Sequence, residues 1–147
     1  MSEPALLLQQ EFELGHTYTR STGPVIGRFL TALRECRILG VRGSDGRVLV
    51  PPPEFDPTTF AALTEWVEVS AEGEVLSWCW VRQPLAQHRF QHPFAFALIR
   101  LDGADAPLLH LIDAGDESRL ATGARVCARW AEERCGAITD IDCFEPV

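Results

Sequence analysis

A proline-rich segment in the first half of the chain sets the strongest limit on its fold. Four prolines lie within the seven residues Pro51-Pro52-Pro53-Glu54-Phe55-Asp56-Pro57. Because proline has no backbone N–H to donate to a β-ladder and disrupts a helix interior, neither element can run through this segment. We therefore predict an extended linker here, with a structural boundary near residue 60.

The residues before the linker have the pattern of a helix followed by a hairpin. Between residues 24 and 37 the apolar side chains recur at spacings of three and four, and Pro24 is well placed in a first helical turn. Two short β-prone runs follow, Ile38–Val41 and Val48–Val50, and the Asp45-Gly46 pair between them is a strong turn signal. The sequence predicts one amphipathic helix and one small hairpin.

The residues after the linker have the pattern of many short strands. The first predicted strand, Glu65–Ser70, alternates as E-W-V-E-V-S. A polar loop from Arg82 to Pro93 interrupts the series. The further predicted strands are Glu74–Val81, Phe94–Leu101, Pro107–Asp113, Ala124–Trp130 and Ala137–Ile141. Short strands with turns and little helix indicate a mainly β domain, either a sandwich or a small barrel.

Charge and hydropathy exclude several classes of function. The 147 residues carry a formal net charge of −8, and 46% of them are hydrophobic. Since neutralising nucleic-acid phosphates requires a basic face, the acidic balance argues against DNA or RNA as a partner. No apolar run approaches the roughly 20 residues of a membrane-spanning helix, and the N-terminus lacks the basic start of a secretory signal. We expect a folded cytoplasmic protein without a membrane partner.

Single residues that could carry chemistry have simpler structural interpretations. The five cysteines are widely spaced and form no C-x-x-C pair, which favours neither a disulfide framework nor a closed zinc site. Cys79, between two tryptophans, fits a barrel cysteine better than an activated nucleophile. His88 and His92 lie in the polar loop and fit solvated or partner-contacting roles better than metal binding. His110 stands in an apolar strand, where we expect its ring to be hydrogen-bonded.

Several segments, taken in order, resemble a known family. The helix at residues 24–37 is followed by Gly46-Arg47-Val48-Leu49-Val50-Pro51-Pro52, then by Thr64-Glu65-Trp66-Val67-Glu68-Val69-Ser70. Pro93-Phe94-Ala95-Phe96-Ala97-Leu98-Ile99-Arg100-Leu101-Asp102-Gly103 and Gly123-Ala124-Arg125-Val126 come later. In this order they resemble the acyl-CoA-associated zinc-ribbon/OB-fold family, also called domain of unknown function 35. The resemblance covers about residues 24–143.

The resemblance implies a three-part organisation. Residues 1–23 would form an extended N-terminal arm, and residues 24–60 the helix with a rubredoxin-like zinc-ribbon hairpin. Residues 61–147 would form an OB-fold barrel of five or six strands. The fold class is therefore expected to be mainly β, with one helix before the barrel.

The ribbon departs from the family at the metal-binding positions. Where the family ribbon places its thiolates, this chain has Gly43, Asp45 or Gly46, Asp56 and Thr59. Structural zinc needs four thiolate or imidazole ligands, so we expect no zinc and place the chain in a subgroup that lacks the zinc-ligand cysteines. Apolar packing must then hold the ribbon together. The residues expected to supply it are Ile38, Val41, Val48, Val50 and Phe55.

The resemblance also implies a function. Members of the family accompany thiolase-superfamily enzymes, including lipid-transfer-protein-like thiolases and aldolases that act on steroid or fatty acyl-CoA substrates. This chain would then be a non-catalytic accessory subunit of a hetero-oligomer, without a cofactor of its own, that shares acyl-CoA with its partner. Two alternatives stay open: a free-standing acyl-CoA or lipid-binding module and, less favoured, a single-stranded nucleic-acid-binding OB domain.

Two groups of residues are candidates for these contacts. Coenzyme A carries phosphates and an adenine, so a surface that binds it needs cationic donors beside an aromatic or apolar shelf. The candidates for coenzyme A binding are Arg42, Arg47, Trp80, Arg82, His88 and Arg89. Apolar surface commonly marks partner contacts, and the candidates for docking are Phe12, Leu14, Tyr18, Phe29 and Leu30. Solvated roles for single arginines, and an arm folded back on its own barrel, stay open as alternatives.

Overall fold

The computed structural model describes residues 11–147 and contains one helix, eight strands and two short 3-10 turns in that range. Helix α1 spans Gly23–Arg34. The strands are β1 (Ile38–Arg42), β2 (Val48–Leu49), β3 (Trp66–Val69), β4 (Glu72–Val81), β5 (Phe94–Leu101), β6 (Leu108–Ile112), β7 (Arg125–Trp130) and β8 (Ile141–Pro146). The 3-10 turns are Glu117–Arg119 and Ile138–Asp140. Within the described range, no helix is long and apolar enough to cross a membrane.

Helix α1 forms where the apolar spacing predicts it but ends three residues earlier than Arg37. Its end is a Schellman turn, in which the N–H of Arg37 donates to the carbonyl of Ala32 at 3.0 Å and that of Cys36 to Leu33 at 2.9 Å. Cys36 adopts a φ of 58° to close this turn, a position that glycine usually occupies. Because cysteine gives no stop signal in the sequence, the end of the helix was predicted too late.

Strands β1 and β2 form the predicted hairpin, with Val41 opposite Leu49. They belong to a three-stranded sheet of order β2-β1-β3. Strand β3 was predicted as the first strand of the barrel, but it pairs antiparallel with β1, and Ile38 lies opposite Val69. Its alternating sequence predicts a strand but carries no information about which strand it pairs with.

The other five strands close into a barrel of order β4-β5-β6-β8-β7, in which β4 also pairs with β7. All pairs are antiparallel except β6 with β8, which are parallel where Ile112 meets Phe144. A closed five-stranded barrel preceded by one helix confirms the predicted OB-fold class. The last strand was misplaced in the prediction, because residues 138–140 form a 3-10 turn and the strand begins only at Ile141.

One apolar core joins the helix to the barrel. Phe29 and Leu33 of α1 belong to the same buried cluster as Ile99 of β5 and Ile141 of β8. The loop between β7 and β8 also meets the helix end, where the guanidinium of Arg34 donates to the carbonyl of Cys135 at 3.2 Å. The helix is therefore fixed against the end of the barrel that carries this loop.

Candidate ligand groove and apolar outer face

The ribbon holds its two turns together through Asp56. This side chain is only 2% exposed. Its Oδ2 accepts a hydrogen bond from the N–H of Ser44 at 2.7 Å, and its Oδ1 accepts from Thr58 at 2.7 Å and Thr59 at 2.9 Å. The backbone donor of Ser44, followed by those of Thr59 and Thr58, holds the pKa of Asp56 well below its usual range.

Zinc does not fit this arrangement. The carboxylate of Asp56 is already occupied by three N–H donors, and Gly43 and Thr59 provide neither a thiolate nor an imidazole. Of the other residues expected to hold the ribbon, Ile38, Val41, Val48 and Val50 are buried. Phe55 is 56% exposed, so the prediction for that residue is wrong. Its backbone forms an isolated antiparallel bridge with Ala62.

The outer face of the barrel is apolar where β5 and β6 meet. Along β5, Ala95, Ala97 and Ile99 point inward and are buried, so the alternating residues Phe96 and Leu98 point outward. Leu109 of β6 lies opposite Leu98 and is 63% exposed. Outward positions of antiparallel strands normally carry polar side chains. We call Phe96, Leu98 and Leu109 the outer apolar face.

A groove of about 370 Å³ adjoins this face, between β6 and the start of β8. Pairing between β6 and β8 is limited to Ile112 and Phe144, so the first part of β6 pairs with β5 on one side and with no described strand on the other. The 3-10 turn Ile138–Asp140 and the loop before β5 form the sides. The residues lining the groove are Gln87, His88, Arg89, Phe94, Phe96, Leu109, His110, Leu111, Ile138, Thr139, Ile141 and Asp142.

His110 lies in the wall of the groove and is 9% exposed. Its ring stands edge-on to Phe144, with 5.4 Å between the centroids. Nδ1 is buried and has no hydrogen-bond partner among residues 11–147, so the prediction of a hydrogen-bonded ring is wrong for this atom. Burial lowers the pKa of His110, although the carbonyl groups of Leu111 and Ile138 oppose the shift. The imidazole is therefore neutral at pH 7.

The charged groups at the rim of the groove neutralise one another. Arg89 donates to Oδ1 of Asp142 through Nε at 2.8 Å and also through a terminal nitrogen. Oδ2 of the same carboxylate accepts from Arg129 at 2.9 and 2.7 Å. Nδ1 of His88 accepts a hydrogen bond from the N–H of Leu85 at 3.1 Å. The groove thus has apolar walls, and Arg89 at its rim is already paired with Asp142.

The six candidates for coenzyme A binding do not lie in one site. His88 and Arg89 line the groove, and the other four do not. Arg42 pairs with Glu65 at 2.7 Å in the small sheet, and Arg82 pairs with Glu117 at 3.0 Å. Arg47 is exposed on the hairpin turn, while Trp80 is half-buried against the core. A role for any of them in binding coenzyme A stays a prediction.

The candidates for partner docking fall into two groups. Phe12, Leu14 and Tyr18 are exposed in an arm that has no helix or strand, while residues 1–10 of the predicted arm lie outside the described residues. Phe29 is 2% exposed, and Leu30 is half-buried against the same core. The helix gives its apolar side to the core of this chain, which corrects the placement of Phe29 on a docking surface.

Sequence reasoning missed the outer apolar face and the groove. The signal was present in β5, where Phe94-Ala95-Phe96-Ala97-Leu98-Ile99 is apolar at both alternating positions. When both faces of an antiparallel strand carry apolar side chains, the face that points away from the core is expected to be covered as well. Ile138 gave no comparable signal, because its position depends on the loop between β7 and β8.

The closed barrel and the helix and ribbon before it define the chain as an OB-fold protein. Residues 66–131 match the family described as "ChsH2, C-terminal OB-fold domain". This match, the sequence relative and the solved structures described below together support a DUF35 OB-fold family.

One sequence relative and two solved structures are similar to this chain. A "DUF35 domain-containing scaffold protein" of Pyrococcus furiosus is 27% identical over 93 residues, which are 63% of this chain and 68% of that protein. A DUF35-family protein of unknown function from Sulfolobus solfataricus has a TM-score of 0.63 at 20% identity, covering 85% of this chain and 83% of its own. The structure described as "Ltp2-ChsH2(DUF35) aldolase" has a TM-score of 0.65 at 18% identity. The match covers 87% of this chain and 98% of the other chain. At these identities the two structures show a shared fold.

Proposed function

We propose that this chain is a non-catalytic accessory subunit of a thiolase-superfamily complex that acts on acyl-CoA substrates. The partner would be a lipid-transfer-protein-like thiolase or aldolase, in the degradation of steroid side chains or fatty acids. The single observation that carries the proposal is the outer apolar face. Phe96, Leu98 and Leu109 are adjacent on β5 and β6 and leave apolar area in contact with water, which association with a partner would bury.

The relatives support the part of the proposal that places this chain in a complex with another protein. The Pyrococcus furiosus relative is named a scaffold protein, and one solved structure with this fold is an aldolase whose description joins Ltp2 and ChsH2(DUF35). The buried Cys143 is not available as a nucleophile. Burial raises the pKa of the Cys143 thiol to about 12, which keeps it protonated and unreactive at neutral pH.

Co-expression with a thiolase-superfamily protein encoded beside this chain tests the proposal. We expect the two proteins to co-purify at constant stoichiometry and the enzyme to be more active or more stable in the complex. Leu98→Glu, which places a charge on the outer apolar face, should weaken the complex. Phe60→Glu is the matched control, because Phe60 is exposed on the ribbon rather than on the barrel face.

One result would contradict the subunit role, and another would contradict the outer apolar face as its contact surface. One is the absence of a complex with any thiolase-like protein encoded nearby. The other is a complex whose affinity is the same for wild type, Leu98→Glu and Phe60→Glu, since the outer apolar face would then not be the contact.

The groove favours a second candidate, a free-standing acyl-CoA or lipid-binding module. Co-purification separates the two, because a free-standing module binds acyl-CoA on the isolated chain and forms no complex with a thiolase-like protein. A salt-sensitive shift of single-stranded DNA would instead support an oligonucleotide-binding role, which the net charge of −8 opposes.

A further inference from the structure

We propose that the groove is a binding site for an uncharged apolar group, an acyl chain or an alicyclic ring system, that carries one hydroxyl or carbonyl oxygen. The site belongs to this chain alone and requires no partner. The inference adds a ligand site to the proposed function. It rests on that function only in taking acyl-CoA as the source of the ligand.

The walls of the groove define the apolar part of the ligand. The apolar lining of the groove includes Phe96 and Leu109 of the outer apolar face, together with Ile138 and Ile141. Clefts of about 300–1,000 Å³ with mostly apolar walls and a few polar groups are the usual form of small-molecule sites in proteins. At about 370 Å³, this groove takes a short acyl chain or a small ring system rather than a whole acyl-CoA.

The charges at the rim exclude an anionic ligand. Arg89 is the arginine that lines the groove, and both of its contacts go to Oδ1 of Asp142. An anion entering the groove would meet the carboxylate of Asp142 and an engaged guanidinium. Because an unpaired charge is costly to bury among apolar side chains, the group that enters must be uncharged.

His110 defines the polar part of the ligand. Its Nδ1 has no hydrogen-bond partner in the part of the chain that the structure describes, although the ring lies in the wall of the groove. Buried polar atoms in proteins almost always have partners, so a lone one in a ligand-sized groove marks where a ligand atom belongs. Nδ1 is itself shielded, so the proposal includes a rotation of the ring about χ2 that brings Nδ1 to an oxygen of the bound group. A hydroxyl or a carbonyl oxygen meets this requirement without adding charge.

The site also determines which end of an acyl-CoA lies in the groove. The acyl end carries the carbonyl and apolar chain that the groove accepts, whereas the nucleotide end carries phosphates that the rim does not. The acyl group is therefore the part of the substrate that this chain binds.

Amide NMR on the full chain tests the site with three probes: octan-1-ol, octanoate, and coenzyme A without an acyl group. We expect octan-1-ol to shift the signals of residues 109–111 and 138–142 until they saturate. Octanoate should bind about tenfold more weakly, because its carboxylate meets no free cation. Coenzyme A should leave these signals unchanged. Shifts by coenzyme A alone, or no saturable shifts with octan-1-ol, would overturn the proposal.

Ile138→Glu and Leu98→Glu form a matched pair. The two residues are similarly exposed, at 42% and 39%, but only Ile138 lines the groove. We expect Ile138→Glu to weaken octan-1-ol binding about tenfold and Leu98→Glu to leave it unchanged. Equal effects of the two variants would show that the probe does not occupy the groove. Because this titration uses no partner and the co-purification uses no probe, failure of one leaves the other standing.

His110→Phe separates the hydrogen bond from the packing. The variant keeps an aromatic ring against Phe144 and removes both ring nitrogens. We expect octan-1-ol to bind about fivefold more weakly, while toluene, which has no oxygen, binds as before. If the affinities for both probes fall equally, His110 acts only through packing and the assignment of the oxygen is wrong.

Discussion

The backbone N–H of Ser44 donates a hydrogen bond of 2.7 Å to the carboxylate of Asp56, twelve residues away in the sequence. The same carboxylate accepts from Thr58 and Thr59 in the second turn of the ribbon. One buried anion thus connects two turns that a zinc ion would otherwise connect through thiolates. Apolar packing, which the sequence suggested as the substitute for zinc, is therefore only part of what orders this segment.

Replacing Asp56 should loosen the ribbon and leave the barrel intact. Asp56→Ala removes the acceptor of three N–H groups and leaves them without partners in a buried site. Hydrogen exchange should become faster at Ser44, Thr58 and Thr59, with little change at amides in β5 and β6. Asp45→Ala is the control, because Asp45 is exposed and accepts one bond, from the N–H of Arg47 at 3.0 Å. Unchanged exchange at Ser44 in Asp56→Ala would contradict the role of the carboxylate.

Acid should remove the contribution of Asp56 to stability. Its pKa is lowered in the folded chain by the N–H groups of Ser44, Thr59 and Thr58. Its contribution is therefore fully present above the unfolded value of about 4 and is lost as the pH falls toward the folded value. Urea unfolding of wild type and Asp56→Asn between pH 6 and pH 2 measures this. The difference in unfolding free energy should shrink as the pH falls, and a constant difference would rule out the charged form as its cause.

The sequence predicts those features whose signals are local. The helix and the hairpin follow from the apolar spacing between residues 24 and 37 and from the turn at Asp45-Gly46, and both are confirmed. The barrel strands at Phe94–Leu101 and Glu74–Val81 are found for the same reason. Each of these signals lies within about fifteen residues, which is the window over which a repeating pattern is recognised.

Features that depend on distant parts of the chain could not be predicted in this way. β3 pairs with β1 rather than entering the barrel, and Asp56 bonds to Ser44 across the ribbon. From the sequence alone His110 fits an ordinary strand histidine, because its place in the groove depends on the 3-10 turn at residues 138–140 lying near β6. The candidate site consists mostly of such long-range relationships.

Phe29 should be a residue of the core rather than of an interface. Phe29→Ala leaves a cavity between α1 and the barrel and should lower the unfolding free energy by about 3–5 kcal/mol. Chemical denaturation measures this. Phe12→Ala, at an exposed position of the arm, should change stability by less than about 0.5 kcal/mol. A stable Phe29→Ala variant that only loses partner binding would restore the docking role.

Gly73 allows a close approach inside the barrel. It lies opposite Leu101 of β5 and Val126 of β7. A Cβ added at this position would lie 2.5 Å from the carbonyl oxygen of Arg100 and 2.9 Å from the Cα of Leu101. Because both are backbone atoms and cannot rotate away, Gly73→Ala should cost about 1–3 kcal/mol in urea unfolding. Gly15→Ala, with no atom within 4 Å, should be neutral, and equal stability of the two variants would show that the barrel widens without cost.

His110 should make the chain less stable in mildly acidic solution. Burial lowers its pKa in the folded state, so below the ordinary value of about 6.5 the unfolded chain binds more protons than the folded one. The unfolding free energy should therefore fall as the pH drops from 7 toward 5, well above the range in which Asp56 titrates. In His110→Phe this decrease should be absent, while His16→Gln, in the exposed arm, should retain it. An octan-1-ol-saturated chain should also show a smaller loss than the free chain at pH 5.5 if the bound oxygen accepts a hydrogen bond from the protonated ring. A larger loss would mean that the oxygen donates to the neutral ring, so the same titration determines which partner is the donor.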